Sequence, residues 1–260
     1  MGIFSFMQAA DPAPSGASGY RAYAVGDIHG RLDLLEDLLD AIQRDVARRP
    51  RRKVLLVFLG DLIDRGPNSA QVIERLRTYR PHGVRPMFLL GNHEEVLLRI
   101  LDGDISIVAS WLRFGGAECL ASYGVDPESL DGLSEEAAIG EIRAAIPPEH
   151  QEFLRTFVDT CRFGDYLFVH AGIRPGVSLD DQVQSDLRWI REPFLLDTTD
   201  HGCVVVHGHT ITLEVEERPN RIGIDTGAYR SGVLTALALD GKDRWYLDTR
   251  PRHEATSTVG

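Results

Sequence analysis

Three times in the first hundred residues a short apolar run breaks on a polar, glycine-flanked loop and is followed by apolar residues at helical spacing. RAYAV (21–25) leads to GDIHG (26–30) and then to Leu35, Leu38, Leu39, Ile42 and Val46. KVLLVFL (53–59) leads to GDLIDRG (60–66) and then to Val72, Ile73, Leu76 and Tyr79; VRPMFLL (84–90) leads to GNHE (91–94) and then to Val96, Leu97, Ile100 and Leu101. Runs this short read as buried strands, and the spacing that follows reads as helices burying one face. Strand–loop–helix units in series predict a largely parallel sheet with its polar loops at the carboxyl ends of the strands, where ligand sites of such sheets gather.

The rest of the chain departs from this pattern. Residues 1–19, with ADPAPSGASG, have no apolar period and predict a flexible lead. Residues 103–160 hold Trp111, Gly115–Gly116, the acidic stretch DPESLDGLSEEAAIGE and Pro147–Pro148, and read as a helical insertion without chemistry of its own. The second half returns to short runs, DYLFV, CVVV, RIGI, VLTALAL and RWYL, divided by Gly, Asp or Asn, which predict a second, more antiparallel sheet. Two of these runs again end in polar loops, HAG (170–172) and HGHT (207–210). The expectation is one α/β domain over residues 20–250, followed by a tail over 251–260.

Composition narrows the class. With 260 residues and 43% hydrophobic content the chain can bury a sizeable core. Its apolar runs fall short of a membrane span, and MGIFSFMQAA lacks the basic start of a secretory signal, so a cytoplasmic location with no membrane partner is expected. Cys119, Cys161 and Cys203 are odd in number and widely spaced, which offers neither a disulfide framework nor a thiolate site. A net charge of −11 argues against nucleic acid as a partner.

The polar loops change the picture, because five strand ends in succession offer Asp, His and Asn, which turn chemistry alone does not explain. Carboxylates such as Asp61 are costly to bury without a compensating charge. Imidazole nitrogens with carboxylate and amide oxygens suit a borderline divalent ion. Two ions are provided for, Asp27 and His29 on one side and Asn92, His170 and one histidine of HGHT on the other, with Asp61 between them. Such a pair holds a hydroxide nucleophile and clamps a phosphoryl group.

In these motifs the chain resembles the phosphoprotein phosphatase family of binuclear metallophosphoesterases, particularly its short bacterial and phage members, from about Tyr20 to Asp248. The resemblance implies a calcineurin-like fold, two mixed sheets sandwiched between helices with a small helical insertion. It also implies the metal ligands Asp27, His29, Asp61 (bridging), Asn92, His170 and His209, with His207 structural. It implies that His93, oriented by Asp64, protonates the leaving oxygen, and that Arg65 and Arg191 bind phosphate. Manganese is the expected ion, with iron and zinc also compatible with the ligands. The two ions and the two arginines leave the site positive on an acidic protein, so an anionic substrate is attracted locally.

The expected activity is hydrolysis of phosphoserine and phosphothreonine in proteins by attack of a metal-bridging hydroxide, by a monomer whose partner is its phosphorylated substrate. The alternative is symmetric hydrolysis of dinucleoside tetraphosphates by a relative with the same metal motifs. Such enzymes often replace the second aspartate of GDxxDRG and the glutamate of GNHE; Asp64 and Glu94 are both kept here. A silent phosphate-binding scaffold is a third possibility, against which the complete set of ligand and acid positions counts. Asp225, in IDTGAYRSG, falls near the site or forms a turn of its wall.

Overall fold

The computed structural model describes residues 13–251. The first three units form as expected: β1 (Tyr20–Val25), α1 (Leu32–Arg48), β2 (Lys53–Phe58), α2 (Ser69–Arg77), β3 (Val84–Phe88) and α3 (Asn92–Leu101). The insertion follows with α4 (Val108–Trp111), α5 (Ala117–Ser122), α6 (Glu135–Ala145) and α7 (Pro148–Leu154). The second half contributes β4 (Thr160–Phe163), β5 (Tyr166–Val169), α8 (Gln184–Trp189), β6 (Val204–His207), β7 (Glu216–Glu217), β8 (Arg221–Gly223), α9 (Ala228–Ser231), β9 (Thr235–Asp240) and β10 (Asp243–Asp248).

Two mixed five-stranded sheets result, in the orders β10-β9-β1-β2-β3 and β4-β5-β6-β8-β7. Strands β1, β2 and β3 are parallel, and so are β5, β6 and β8. The second sheet is thus less antiparallel than its short runs predict. Its central strands are apolar on both faces, as parallel strands covered on both sides must be. VLTALAL and RWYL also leave the expected sheet, pairing instead as a hairpin along the free edge of β1.

Alternation along the strands shows how the layers stack. In β1, Ala22 and Ala24 face the second sheet, where they meet Phe168, Val206 and Ile222, while Tyr23 and Val25 face α1 and its neighbours. In β5, Tyr166 and Phe168 join that inter-sheet core, and Leu167 and Val169 pack outward with Leu187 and Phe194. One side of the sandwich is closed by α1, α2, α3 and the insertion, and the other by α8 and the loops around it.

The expected lead is not loose along its last part. Gly16 N donates to Gly241 O at 2.8 Å and Asp165 N to Ser15 O at 2.9 Å, so this segment ties the β9–β10 turn to the start of β5. Residues 1–12 of that lead, and the expected tail beyond Pro251, lie outside the described residues. No helix among the described residues is long and apolar enough to cross a membrane.

Candidate active site

All parallel strands of both sheets end on one edge of the sandwich, and the polar loops converge there. The first two loops are zipped together: Ile28 N and His29 N donate to Asp61 O, and Gly30 N to Leu62 O. Gly66 passes so close to this crossing that a Cβ on it would lie 2.1 Å from His29 O. From α3, Glu94 completes the frame, its carboxylate accepting the backbone N–H groups of Asp61, Leu62 and Gly91 at 2.7–3.1 Å. Five non-glycine residues have positive φ among the described residues, and all are at this edge: His29, Asp61, Asp64, Arg65 and His209. Strain of this kind, at about 1–3 kcal/mol per residue, persists where the surroundings over-determine it.

Two groups of potential ligand atoms form around Asp61. Atoms of Asp61, His170 and His209 lie within 4.8 Å of one another, as do atoms of His29, Asp61 and His93. Asn92 Oδ1 joins the first group, 2.9 Å from His170 Nε2 and 2.8 Å from His209 Nδ1. The backbone fixes the rings, because His29 Nδ1 faces Ile63 O at 2.8 Å and His170 Nδ1 faces Leu59 O at 2.9 Å. Each is thereby left with Nε2 toward the centre. Asp27 belongs to neither tight group; its Oδ2 accepts His209 N at 2.9 Å, and its Oδ1 is buried without a partner.

The charges are those of a cation site. Burial would raise the Asp61 carboxyl, but His170, His93, His29 and His209 hold it far below its ordinary value. Burial, with Asp225 and Asp61 close by, pushes Asp27 well up. Burial, together with His170, lowers His209 to about 3, and it also lowers His29 and His170. Neutral imidazoles around ionised Asp61, with Asp27 Oδ1 orphaned, fit the donor set of divalent ions.

Beside this cluster stands a second arrangement. His93 Nδ1 donates to Asp64 Oδ2 at 2.6 Å, and Arg65 reaches His29 Nε2 and His93 Nε2 with its two terminal nitrogens at 2.7 and 2.8 Å. Burial opposes the His93 imidazolium, yet Asp61, then the hydrogen bond and charge of Asp64, raise its pKa above the ordinary value. Arg191, after α8, is exposed and lines the same opening as Arg65, His93 and His209. That opening leads into a cavity of about 430 Å³ with Val96, Arg99, Ile107, Trp111, Phe114 and Trp189 in its walls.

A family model described as "Calcineurin-like phosphoesterase" matches residues 20–231. The chain belongs to the calcineurin-like phosphoesterase family. It is a metallophosphoesterase of the expected α/β fold, and the family implies divalent metals at the Asp and His cluster. Among relatives, a symmetrical bis(5'-nucleosyl)-tetraphosphatase of Dechloromonas aromatica is 25% identical, over 88% of this chain and 96% of that protein. Serine/threonine-protein phosphatase 1 of Salmonella typhimurium is 30% identical, over 82% of this chain and 89% of that protein. A crystal structure assigned as a diadenosine tetraphosphatase shares the fold with a TM-score of 0.63 at 21% identity, covering 93% of this chain and all of that one.

Every site position expected from the sequence of this calcineurin-like phosphoesterase reaches the shared edge. His207 does not face the cluster; its ring meets Phe194 edge-on at 5.1 Å and Arg221 lies 3.4 Å from its Nε2. Asp225 is more than a turn: it is buried beside Asp27, accepts Gly227 N at 2.9 Å, and burial raises it to about 6. Three contributors carried no local signal. Tyr229 covers Arg65 with its ring at 4.9 Å, Trp189 donates to Glu95 at 3.1 Å, and Trp111 bonds to Asp64 at 3.0 Å. The last brings the insertion, expected to have no chemistry of its own, into contact with Asp64.

Proposed function

We propose that this chain hydrolyses dinucleoside tetraphosphates or related nucleotides with two divalent ions, manganese by preference. The carrying observation is the cavity opening directly off the ligand cluster. Its volume of about 430 Å³ lies in the range of small-molecule sites. Phe114 and Trp189 are exposed aromatic walls of it, at 65% and 42%, and stacking on such a ring contributes about 1–3 kcal/mol per base. Arg65 and Arg191 line it as well, suiting phosphate oxygens, and Arg99, paired with Asp104, stands in the same wall. The name of the Dechloromonas relative agrees. Asp64 and Glu94, read alone, favoured a phosphoprotein; the cavity and the relatives reverse that order.

In this reading Asp27, His29 and Asp61 hold one ion, and Asp61, Asn92, His170 and His209 the other. The chemistry such a pair supplies when bound is a water of lowered pKa and positive charge against the phosphoryl oxygens. Arg65, turned from His93 Nε2 to the phosphate, and Arg191 bind the remaining oxygens, and His93, held by Asp64 at Nδ1 and protonated at the Nε2 so released, passes that proton to the leaving oxygen as the P–O bond breaks.

A second reading, hydrolysis of phosphoserine or phosphothreonine in a protein, is favoured by the Asp64–His93 pair itself. An alkoxide leaves poorly and needs a proton donor far more than a nucleoside phosphate does. The Salmonella relative's name agrees with this one. The test is turnover of diadenosine tetraphosphate and of a phosphothreonine peptide, side by side, by chelator-stripped protein reloaded with manganese. Faster nucleotide turnover is expected; faster peptide turnover would replace the first reading by the second.

A further inference from the structure

We infer that Trp111, in the insertion, is a positioning residue for proton delivery: its indole N–H fixes the Asp64 carboxylate that orients His93. This rests on the reading of His93 as the acid, and holds for either substrate class.

The geometry is direct. Trp111 Nε1 donates to Asp64 Oδ2 at 3.0 Å, the same oxygen that accepts His93 Nδ1 at 2.6 Å. Asp64 Oδ1 accepts no N–H or O–H donor, and the side chain is fully buried beside the Cys119 thiol. A carboxylate carrying a single donor can turn about its last bond and offer either oxygen. A second donor on a fixed ring removes that freedom, so the plane of the carboxylate, and with it the tilt of His93, is set by the indole.

The ring is itself immobilised. Trp111 is 3% exposed and lies under Gly116, where a Cβ would come within 2.3 Å of ring atoms. Four residues after Trp111, Gly115 O accepts Arg65 N at 3.1 Å. The insertion therefore grips Asp64 by its side chain and Arg65 by its backbone.

The experiment compares wild type, Trp111→Phe and His93→Asn, all manganese-loaded, on 4-nitrophenyl phosphate and on phenyl phosphate, whose leaving oxygen is more basic. Trp111→Phe should lower kcat on phenyl phosphate about ten- to a hundredfold and on 4-nitrophenyl phosphate by less than about threefold, with KM and bound manganese unchanged. His93→Asn should show the same selectivity with a larger loss. If His93→Asn depresses both substrates equally, the acid reading fails and the inference with it. If His93→Asn is selective while Trp111→Phe changes neither substrate, or both alike, the acid reading stands and Trp111 only packs.

Should Trp111→Phe not fold, 3-benzothienylalanine at position 111 keeps the ring and removes the N–H, and the two substrates decide in the same way. A second readout needs no turnover. In the diamagnetic zinc-loaded protein the His93 Nδ1 proton, identified by its loss in His93→Asn, should exchange with solvent faster once the indole donor is gone; an unchanged rate overturns the inference.

Discussion

Glu94 Oε2 accepts the backbone N–H of Asp61 at 2.9 Å while Oε1 accepts that of Leu62 at 2.7 Å, so a carboxylate on α3 holds the loop that carries the central ligand. Glu94→Gln would turn an amide N–H toward backbone donors. It should cost about 2–3 kcal/mol, read as a lower urea midpoint of the metal-free chain above about pH 8, since burial, with Asp61 close by, raises Glu94 to about 8. Manganese affinity should fall with it, because the positive-φ conformation of Asp61 depends on this brace.

Gly115 and Arg65 meet too closely for a side chain between them. A Cβ at residue 115 would lie 2.5 Å from Arg65 N and 2.6 Å from its Cγ, and Gly115 has φ +118°. Gly115→Ala should displace Arg65 and weaken competitive inhibition by inorganic phosphate about tenfold or more, the worth of a charged hydrogen bond. Inhibition assays against any turned-over ester check it.

Manganese should stabilise the fold, since Asp61 is a buried, ionised acid whose charge a bound ion offsets. At about a hundredfold excess over its Kd one ion adds roughly 2.7 kcal/mol, visible as a rise in Tm. Asp61→Asn should abolish most of that rise; a variant stabilised as much as wild type would place the ions elsewhere.

Far from the site, buried Arg21 donates to Asp240 Oδ2 through Nη2 at 2.7 Å and Nε at 3.1 Å, joining β1 to β9. Burial would raise the Asp240 carboxyl, but the hydrogen bonds and charge of Arg21, then Arg52, hold it below the ordinary 3.8. A depressed folded pKa gives stability that is present above 3.8 and lost as pH falls toward the folded value. Asp240→Asn should therefore cost about 1 kcal/mol at neutral pH, since the carboxylate is partly exposed. It should also flatten the loss of stability between about pH 5 and pH 3. Denaturant melts of both proteins across that range check the sign.

The ligand positions were legible because each sits in a loop directly after an apolar run, so strand prediction and chemistry coincide within a few residues. The docking of the β9–β10 hairpin on β1 through β9 was not, because an apolar run fits any free edge, and that edge lies more than two hundred residues away in sequence. Trp111 was hidden for a related reason: an aromatic among apolar neighbours reads as core, and only folding brings it to Asp64 across 47 positions. The acid pair was legible through the family resemblance of its two motifs, whereas the contact of Trp111 with it was not.

Asp27, His29, Asp61 and Asn92 follow strands of the first sheet, whereas His170 and His209 follow strands of the second. A chain emerging from synthesis thus cannot close the Asp61–Asn92–His170–His209 set until residue 209 has been made and the two sheets have docked. In the proposed reading, capture of that ion would mark a finished molecule, and half-built chains would be kept from hydrolytic chemistry until assembly is complete.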